Sequence, residues 1–127
     1  MSAKADLSAP LPQGLVVGVA TSATQVEGAN QAEGRGASIW DEFAQTPGKI
    51  VGGDTPALAC DHFHRWADDV ALLAELGVDA YRLSISWPRV FATGTEHVPN
   101  SAGLDFYDRL VDALLARGVQ PWVTLYH

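Results

Sequence analysis

Four side chains with chemically useful groups stand beside or within short apolar runs of this sequence: Gln25, Glu27, Arg82 and His127. Gln25 both donates and accepts hydrogen bonds, which suits the adjacent hydroxyls of a sugar, although the residue pattern alone equally describes an ordinary polar loop residue. Glu27 has the chemistry of an acid or base, but hydrolysis by two carboxylates needs a pair flanking one bond, and no second candidate stands at a strand end. We therefore expect Glu27 to be structural, through bonds to loop backbone.

Arg82 lies in the middle of a predicted strand, on a face that it shares with Ser84 and Ser86. A buried guanidinium is costly unless a carboxylate or several acceptors meet it. The position therefore fits a counter-charge for a catalytic carboxylate. It equally fits a structural ion pair at a strand end, or an arginine on an edge strand that reaches water.

His127 follows the third predicted strand, and ligands of parallel α/β folds bind at the carboxyl ends of strands. The alternative is a terminal residue without a role. His62 and His64 are two positions apart, so they do not share a helix face, and we expect them to be solvated polar residues and not metal ligands. Cys60 has no adjacent base and is expected to be a small packing residue. No metal or cofactor is predicted.

Two helices that would carry these residues are predicted from apolar side chains recurring at steps of three and four. The first covers residues 61–76 and ends at Gly77, because glycine favours helix termination. The second covers about 102–117, with Asn100 or Ser101 able to cap its start. The apolar positions are Phe63, Trp66, Val70 and Leu73 in the first helix, and Leu104, Tyr107, Leu110, Val111 and Leu114 in the second.

Three strands are predicted from apolar runs and from alternation. Residues 15–20 are apolar enough for a strand buried on both faces, and 121–126 form the third strand. Between the first strand and the first helix, residues 22–61 are rich in glycine and predicted to be mostly loop. The second strand, 80–87, ends at Pro88. Its Tyr81, Leu83, Ile85 and Trp87 share one face.

A helix, a glycine stop and a buried strand occur twice, since Leu76-Gly77-Val78 is echoed by Arg117-Gly118-Val119. This alternation predicts βα units in a parallel sheet, either a doubly wound sheet or a (β/α)8 barrel. A barrel needs about 250 residues, so a chain of 127 residues with three strands cannot close one. We expect residues 1–14 to be a flexible tail and residues 15–127 to form one folded portion.

The composition excludes several classes of partner. A net charge of −7 and a pI near 4.8 argue against nucleic acids and anionic membranes, both of which favour clustered Lys and Arg. One cysteine permits no internal disulfide, the first residues lack a secretion signal, and no apolar stretch approaches the ~18 residues of a membrane span. The expected compartment is the cytoplasm.

Six segments occur in order along the chain and cover nearly everything after the tail. They are Gly18-x-Ala20-Thr21-Ser22-Ala23-x-Gln25-x-Glu27-Gly28-Ala29, Ser38-Ile39-Trp40-Asp41-x-Phe43 with Thr46-Pro47-Gly48-Lys49-Ile50, Asp61-His62-Phe63-His64-Arg65-Trp66 with Asp69-Val70, Tyr81-Arg82-Leu83-Ser84-Ile85-Ser86-Trp87-Pro88-Arg89, Gly103-Leu104-x-Phe106-Tyr107, and Thr124-Leu125-Tyr126-His127. Together these segments resemble family 1 glycoside hydrolases, with bacterial β-glucosidases the most similar.

The resemblance implies an α/β fold made of the first three βα units of a (β/α)8 TIM barrel, and hydrolysis of β-glucosides or β-galactosides with retention. It implies that Gln25 and His127 bind hydroxyls of the non-reducing sugar, and that Arg82 keeps the nucleophilic glutamate ionised. Both catalytic glutamates of the family follow later strands, so the chain alone is expected to be inactive and to need the remaining C-terminal barrel. The alternatives are a non-catalytic sugar-binding or structural fragment, or a truncated reading frame.

Overall fold

The structure is a computed structural model that describes residues 10–127, and its centre is a parallel sheet of three strands in the order β1-β2-β3. The strands are β1 (Gly18–Ala20), β2 (Ala80–Ser84) and β3 (Gln120–Thr124). Ala80 of β2 lies between Gly18 and Gln120 in the register. The predicted parallel α/β architecture is therefore confirmed. The helices are α1 (Ala23–Val26), α2 (Ile39–Gln45), α3 (His62–Leu76), α4 (Trp87–Val90) and α5 (Ser101–Ala116), with 3₁₀ turns at Ala32–Gly34 and Val51–Gly53.

The core lies between one face of the sheet and the two long helices, α3 and α5. Tyr81 and Leu83 of β2 point to this side because alternate residues of a strand face opposite ways. Spacings of three and four bring the apolar stripes of the helices against them. Buried members of this cluster are Phe63, Val70, Leu73, Tyr81, Leu83, Val90, Phe106, Tyr107, Leu110, Leu114 and Val119.

The long helices occupy the predicted positions, but their ends differ in detail. Gly77 ends α3 in the left-handed region at φ 68°, as expected of a glycine stop. Asn100 is the N-cap residue of α5, as one of the two predicted alternatives, but its side chain makes no capping hydrogen bond. Its amide nitrogen instead donates to the carbonyls of Glu33 (2.7 Å) and Arg89 (3.0 Å), and its backbone N–H donates to Val90 O (2.8 Å). Asn100 thus closes the loop 91–99 at its base.

Two strand predictions are corrected by the structure. The first strand is only three residues long and is exposed along its length, because β1 is an edge strand that pairs with β2 alone. The second strand stops at Ser84, and Trp87 begins α4 with Pro88 in its first turn, where a missing N–H is tolerated. The alternation through Ile85 and Trp87 therefore does not describe a continuous strand.

The predicted loop 22–61 contains a helix, α2. Ser38 and Asp41 form a reciprocal capping box: the Ser38 hydroxyl accepts from the Asp41 N–H, and the Asp41 carboxylate accepts from the Ser38 N–H. The loop is pressed against the chain after β2, since a Cβ at Gly36 would lie 1.9 Å from the Ala92 carbonyl oxygen. Glycine is therefore required at position 36 by close backbone approach.

Part of the predicted tail, residues 1–9, lies outside the described residues. Within residues 10–14 the chain forms neither helix nor strand and is exposed, and the tail stays a prediction. No helix among residues 10–127 is both long and apolar enough to cross a membrane.

Candidate functional site

A cleft of about 970 Å³ lies at the carboxyl ends of the three strands. Residues that follow each strand contribute to its surface, as parallel folds predict. Its wall is completed by α2 and by the loop after α4. Polar or aromatic lining residues are Ser22, Thr24, Gln25, Ser38, Trp40, Phe43, Asp54, Thr55, Ser84, Ser86, Trp87, Phe91, Thr93, Tyr126 and His127.

Gln25 and His127 are both placed in this cleft. Gln25 stands in α1, directly after β1, and its side-chain oxygen accepts a hydrogen bond from the Ser22 hydroxyl at 2.8 Å. Because that oxygen has a second lone pair and the amide nitrogen has two protons, Gln25 keeps both donor and acceptor capacity for a ligand. His127 follows β3 and is exposed. The structure therefore brings together two side chains that are far apart in sequence.

Arg82 is half-buried in β2 and does not line the cleft. Since β2 is the central strand, the interpretation of Arg82 as an edge-strand arginine is wrong. Its guanidinium donates to the Thr21 carbonyl at 3.4 Å, and within residues 10–127 it forms no ion pair. The guanidinium lies on the sheet face opposite Tyr81 and Leu83, so it retains donors on the side away from the helices.

Aromatic side chains form two pairs in the cleft wall. Trp40 and Phe43 of α2 meet edge to face with ring centres 6.0 Å apart. The ring centres of Trp87 and Phe91 are 4.9 Å apart. Trp40 and Trp87 remain substantially exposed. A cleft with apolar rings and a few polar groups is typical of sites for small ligands that have both a polar and an apolar face.

A buried ion pair joins Glu27 to Arg89 beneath the cleft. Arg89 Nε donates to Glu27 Oε2 at 3.0 Å, and Tyr107 donates its hydroxyl proton to Glu27 Oε1 at 2.6 Å. Burial raises the pKa of Tyr107 above its usual value, and the neighbouring Glu27 carboxylate raises it further. Glu27 is thus structural, as predicted, but its carboxylate bonds to side chains and not to loop backbone, which corrects the expected contact.

A second buried ion pair holds α2, and with it the Trp40 wall. Asp41 accepts from Arg35 at 2.9 Å and from the hydroxyl and N–H of Ser38. Burial would raise the pKa of Asp41, but the hydrogen bonds from Ser38 and the Arg35 guanidinium outweigh it and hold that pKa below its ordinary value. The carboxylate therefore stays charged, and Asn30 also donates to it.

Other candidate residues serve structural ends. His62 is buried, not solvated as predicted, and its Nδ1 pairs with Asp69 at 2.7 Å, while exposed His64 pairs with Asp61. Cys60 is exposed, so its prediction as a packing residue is wrong. In the part of the chain that the structure describes, no group of three or more His, Cys, Asp or Glu side chains could hold a metal.

The cleft does not contain the paired carboxylates of a glycoside hydrolase among residues 10–127, where Asp54 is its one acidic lining residue. Arg89 and Tyr107 are the important residues that sequence reasoning did not single out. Two sequence features pointed to them: both residues occur in motifs of the family resemblance, and Arg89 also lies just beyond a predicted strand end.

Comparison with known proteins gives consistent results. The family model described as Glycosyl hydrolase family 1 matches residues 7–127. Beta-glucosidase A of Thermotoga maritima is 52% identical over 116 residues, covering 91% of this chain and 26% of that protein. Thermostable beta-glucosidase B of Thermobispora bispora is 54% identical over 125 residues, covering 98% of this chain and 25% of that protein.

Solved structures show the same relationship. The family 1 β-glucosidase from Thermotoga maritima superposes with a TM-score of 0.88 at 51% identity, covering 92% of this chain and 26% of that one. The same protein has been solved in complex with deoxynojirimycin. The chain thus spans about a quarter of the length of the relatives it matches. The predictions of the family resemblance and of a partial (β/α)8 barrel are confirmed.

Proposed function

This chain belongs to glycosyl hydrolase family 1, and we propose that it forms part of the sugar-binding site of a retaining β-glucosidase. One observation carries the proposal: Gln25 after β1 and His127 after β3 line a single cleft at the carboxyl edge of the sheet. In this role the Gln25 amide donates to one sugar hydroxyl and accepts from a neighbouring one, and His127 binds another. A neutral sugar also suits a chain with a net charge of −7, since an anionic ligand would be repelled.

The aromatic wall supports a carbohydrate ligand. A pyranose ring has an apolar face of C–H groups and a rim of hydroxyls, so it pairs with an exposed ring such as that of Trp87 while polar groups bind its edge. The relatives named as β-glucosidases support a β-glucoside or oligosaccharide as the substrate of the whole protein.

Catalysis in this proposal belongs to two glutamates supplied by the remaining C-terminal barrel. One protonates the leaving oxygen, and the other attacks the anomeric carbon to give a covalent glycosyl-enzyme, which water then opens. Arg82 lies near the nucleophile, and its positive charge keeps that carboxylate ionised. The free donors of Arg82 on the face away from the helices support this role.

The test is an assay of p-nitrophenyl β-D-glucoside hydrolysis by this chain alone and by a fused enzyme. In the fused enzyme, this chain is joined to the portion of the Thermotoga maritima protein that it does not cover. We expect no turnover by the chain alone and turnover by the fused enzyme. Turnover by the isolated chain would refute the requirement for outside glutamates, and an inactive but folded fused enzyme would refute the glucosidase assignment.

The binding roles are tested by Gln25→Ala and His127→Ala in the fused enzyme. Loss of hydrogen bonds to a bound sugar is expected to lower kcat/KM by at least about tenfold each, equivalent to about 1.4 kcal/mol. Gln31→Ala and His97→Ala are matched controls, because both residues are exposed and lie outside the cleft. Equal losses in the controls would contradict the assignment.

A non-catalytic sugar-binding or structural fragment is the second candidate, favoured by the exposed Trp122, Leu125 and Tyr126 around the end of β3. Large exposed apolar patches beside the outer, unpaired edge of a strand such as β3 promote association. Saturable binding of glucose by the isolated chain, together with an inactive fused enzyme, would select this candidate.

The lone exposed Cys60 and the acidic composition support a cytoplasmic compartment and the absence of nucleic-acid or membrane partners.

A further inference from the structure

A polar junction lies buried under the cleft and connects three separate segments of the chain. Glu27 follows α1, Arg89 lies in α4, and Tyr107 lies in α5. We propose that these three are positioning residues, which set the separation between the two sides of the sugar-binding cleft. The inference rests on the proposed function and assigns to this junction the control of affinity for the sugar.

Tyr107 is the centre of the junction because its hydroxyl bonds in two directions. It accepts from the Ser86 N–H at 2.7 Å and donates to Glu27 Oε1 at 2.6 Å. The direction is fixed, since a backbone N–H can only donate and an ionised carboxylate can only accept. One oxygen atom therefore ties the chain leaving β2 to the chain leaving α1.

Arg89 fixes the other half of the Glu27 carboxylate. Its Nε donates to Glu27 Oε2 at 3.0 Å, and its Nη2 donates to the Gly28 carbonyl at 3.2 Å. The guanidinium also lies 4.1 Å from the ring centre of Phe63, which confines it from one side. Both carboxylate oxygens are thus held, so Glu27 has no freedom to rotate.

The junction is connected directly to residues that line the cleft. The Glu27 N–H donates to the Ala23 carbonyl at 2.9 Å, which joins it to α1 and so to Gln25. On the other side, Ser86 precedes Trp87, and both line the cleft. A displacement of the Tyr107 hydroxyl therefore moves α1, which carries Gln25, on one side of the cleft. It also moves Ser86 and the adjacent Trp87 ring on the other side.

Tyr107→Phe is the sharpest test, because it removes the oxygen and keeps the ring that packs against Phe106. In the fused enzyme we expect KM for p-nitrophenyl β-D-glucoside to rise about tenfold, with kcat changed less than about twofold. A shift of the sugar-binding groups weakens the ground and transition states alike, and small displacements have large effects. Glu27→Gln keeps the shape of the side chain and one carbonyl acceptor, so it should raise KM less than Glu27→Ala.

The control is Val70→Ala, a fully buried position on α3 outside the junction. It lowers the melting temperature by loss of packing and should leave KM unchanged. If Tyr107→Phe leaves KM unaltered, or if Val70→Ala raises KM as much at equal loss of melting temperature, the positioning role is overturned.

Crystal structures of the wild-type and Tyr107→Phe fused enzymes give a readout that does not depend on activity. We expect α1 and Trp87 to change their separation in the variant, whereas superposable positions would overturn the inference. An inactive wild-type enzyme with a displaced α1 in the variant would refute the proposed function and still support the junction.

Discussion

Substitution of Arg89 by methionine should destabilise the protein far more than loss of an ordinary arginine. The Arg89 side chain is fully buried and that of Glu27 is 5% exposed, so neither charge has water to replace its partner. Removal of one member of a buried pair costs about 3–5 kcal/mol, because the other charge is left uncompensated. Methionine preserves most of the apolar volume beside Phe63, so packing loss adds little. We therefore expect a loss of about 4 kcal/mol in the free energy of unfolding.

Urea unfolding of the fused enzyme, followed by tryptophan fluorescence, measures this loss from the midpoint and slope. Arg109→Met is the matched control, since Arg109 is exposed and its Nε donates only to the Asp105 carbonyl within its own helix; it should cost less than about 0.5 kcal/mol. The double variant Glu27→Gln/Arg89→Met should recover about 2 kcal/mol, because no unpaired charge remains. A loss below about 1 kcal/mol for Arg89→Met, or strict additivity in the double variant, would show that this reasoning is wrong.

Two further predictions concern the wall of the cleft. Asp41→Asn should cost about 2 kcal/mol at pH 7, since it removes the charge that pairs with Arg35 and puts a donor in place of one of the two oxygens to which Asn30 and Ser38 donate. The folded pKa of Asp41 lies below the ordinary 3.8, so its contribution is complete above that value and is lost as the pH falls through the folded pKa. The free energies of unfolding of wild type and Asp41→Asn, measured from pH 7 to pH 2, should converge at the acid end. A difference between them that does not change with pH would contradict the role of the Asp41 charge. Gly36→Ala should cost about 3 kcal/mol by overpacking against the Ala92 carbonyl, whereas Gly48→Ala, with open space around it, should cost about 1 kcal/mol from its left-handed backbone. Thermal melts of the two variants compare these costs, and equal melting temperatures would disprove the clash.

Local periodicity explains why much of the fold was predictable. The spacing of Phe63, Val70 and Leu73 placed α3 correctly, and the alternation of Tyr81 and Leu83 placed β2. These patterns succeed because each records which side of an element faces the core. The position of Gln25 and His127 beyond strand ends followed from the same topology.

Tertiary contacts explain what the sequence alone did not predict. The alternation continues from Ile85 to Trp87, but β2 ends at Ser84, and the Ser86 N–H donates to the Tyr107 hydroxyl and not to a neighbouring strand. The sequence pattern indicated Arg82 as a candidate for an ion pair, because a charge within a strand needs a partner. The buried ion pair is instead formed by Arg89, and its partner Glu27 is 62 positions away in the sequence. No spacing rule connects two such residues. Helix α2 was not predicted, because it is stabilised by a capping box and an ion pair and not by a stripe of buried apolar residues.

The closure of loop 91–99 by Asn100 has a consequence for how such a site diversifies. Thr93 and Gly94 of this loop line the cleft, yet the loop is joined at its base by the bonds of Asn100 to Arg89 and Val90. Lengthening a loop whose ends are already fixed costs little, because closure entropy grows only slowly with length. Evolution or a protein engineer can therefore vary the rim of the cleft by insertion here while the floor keeps its geometry.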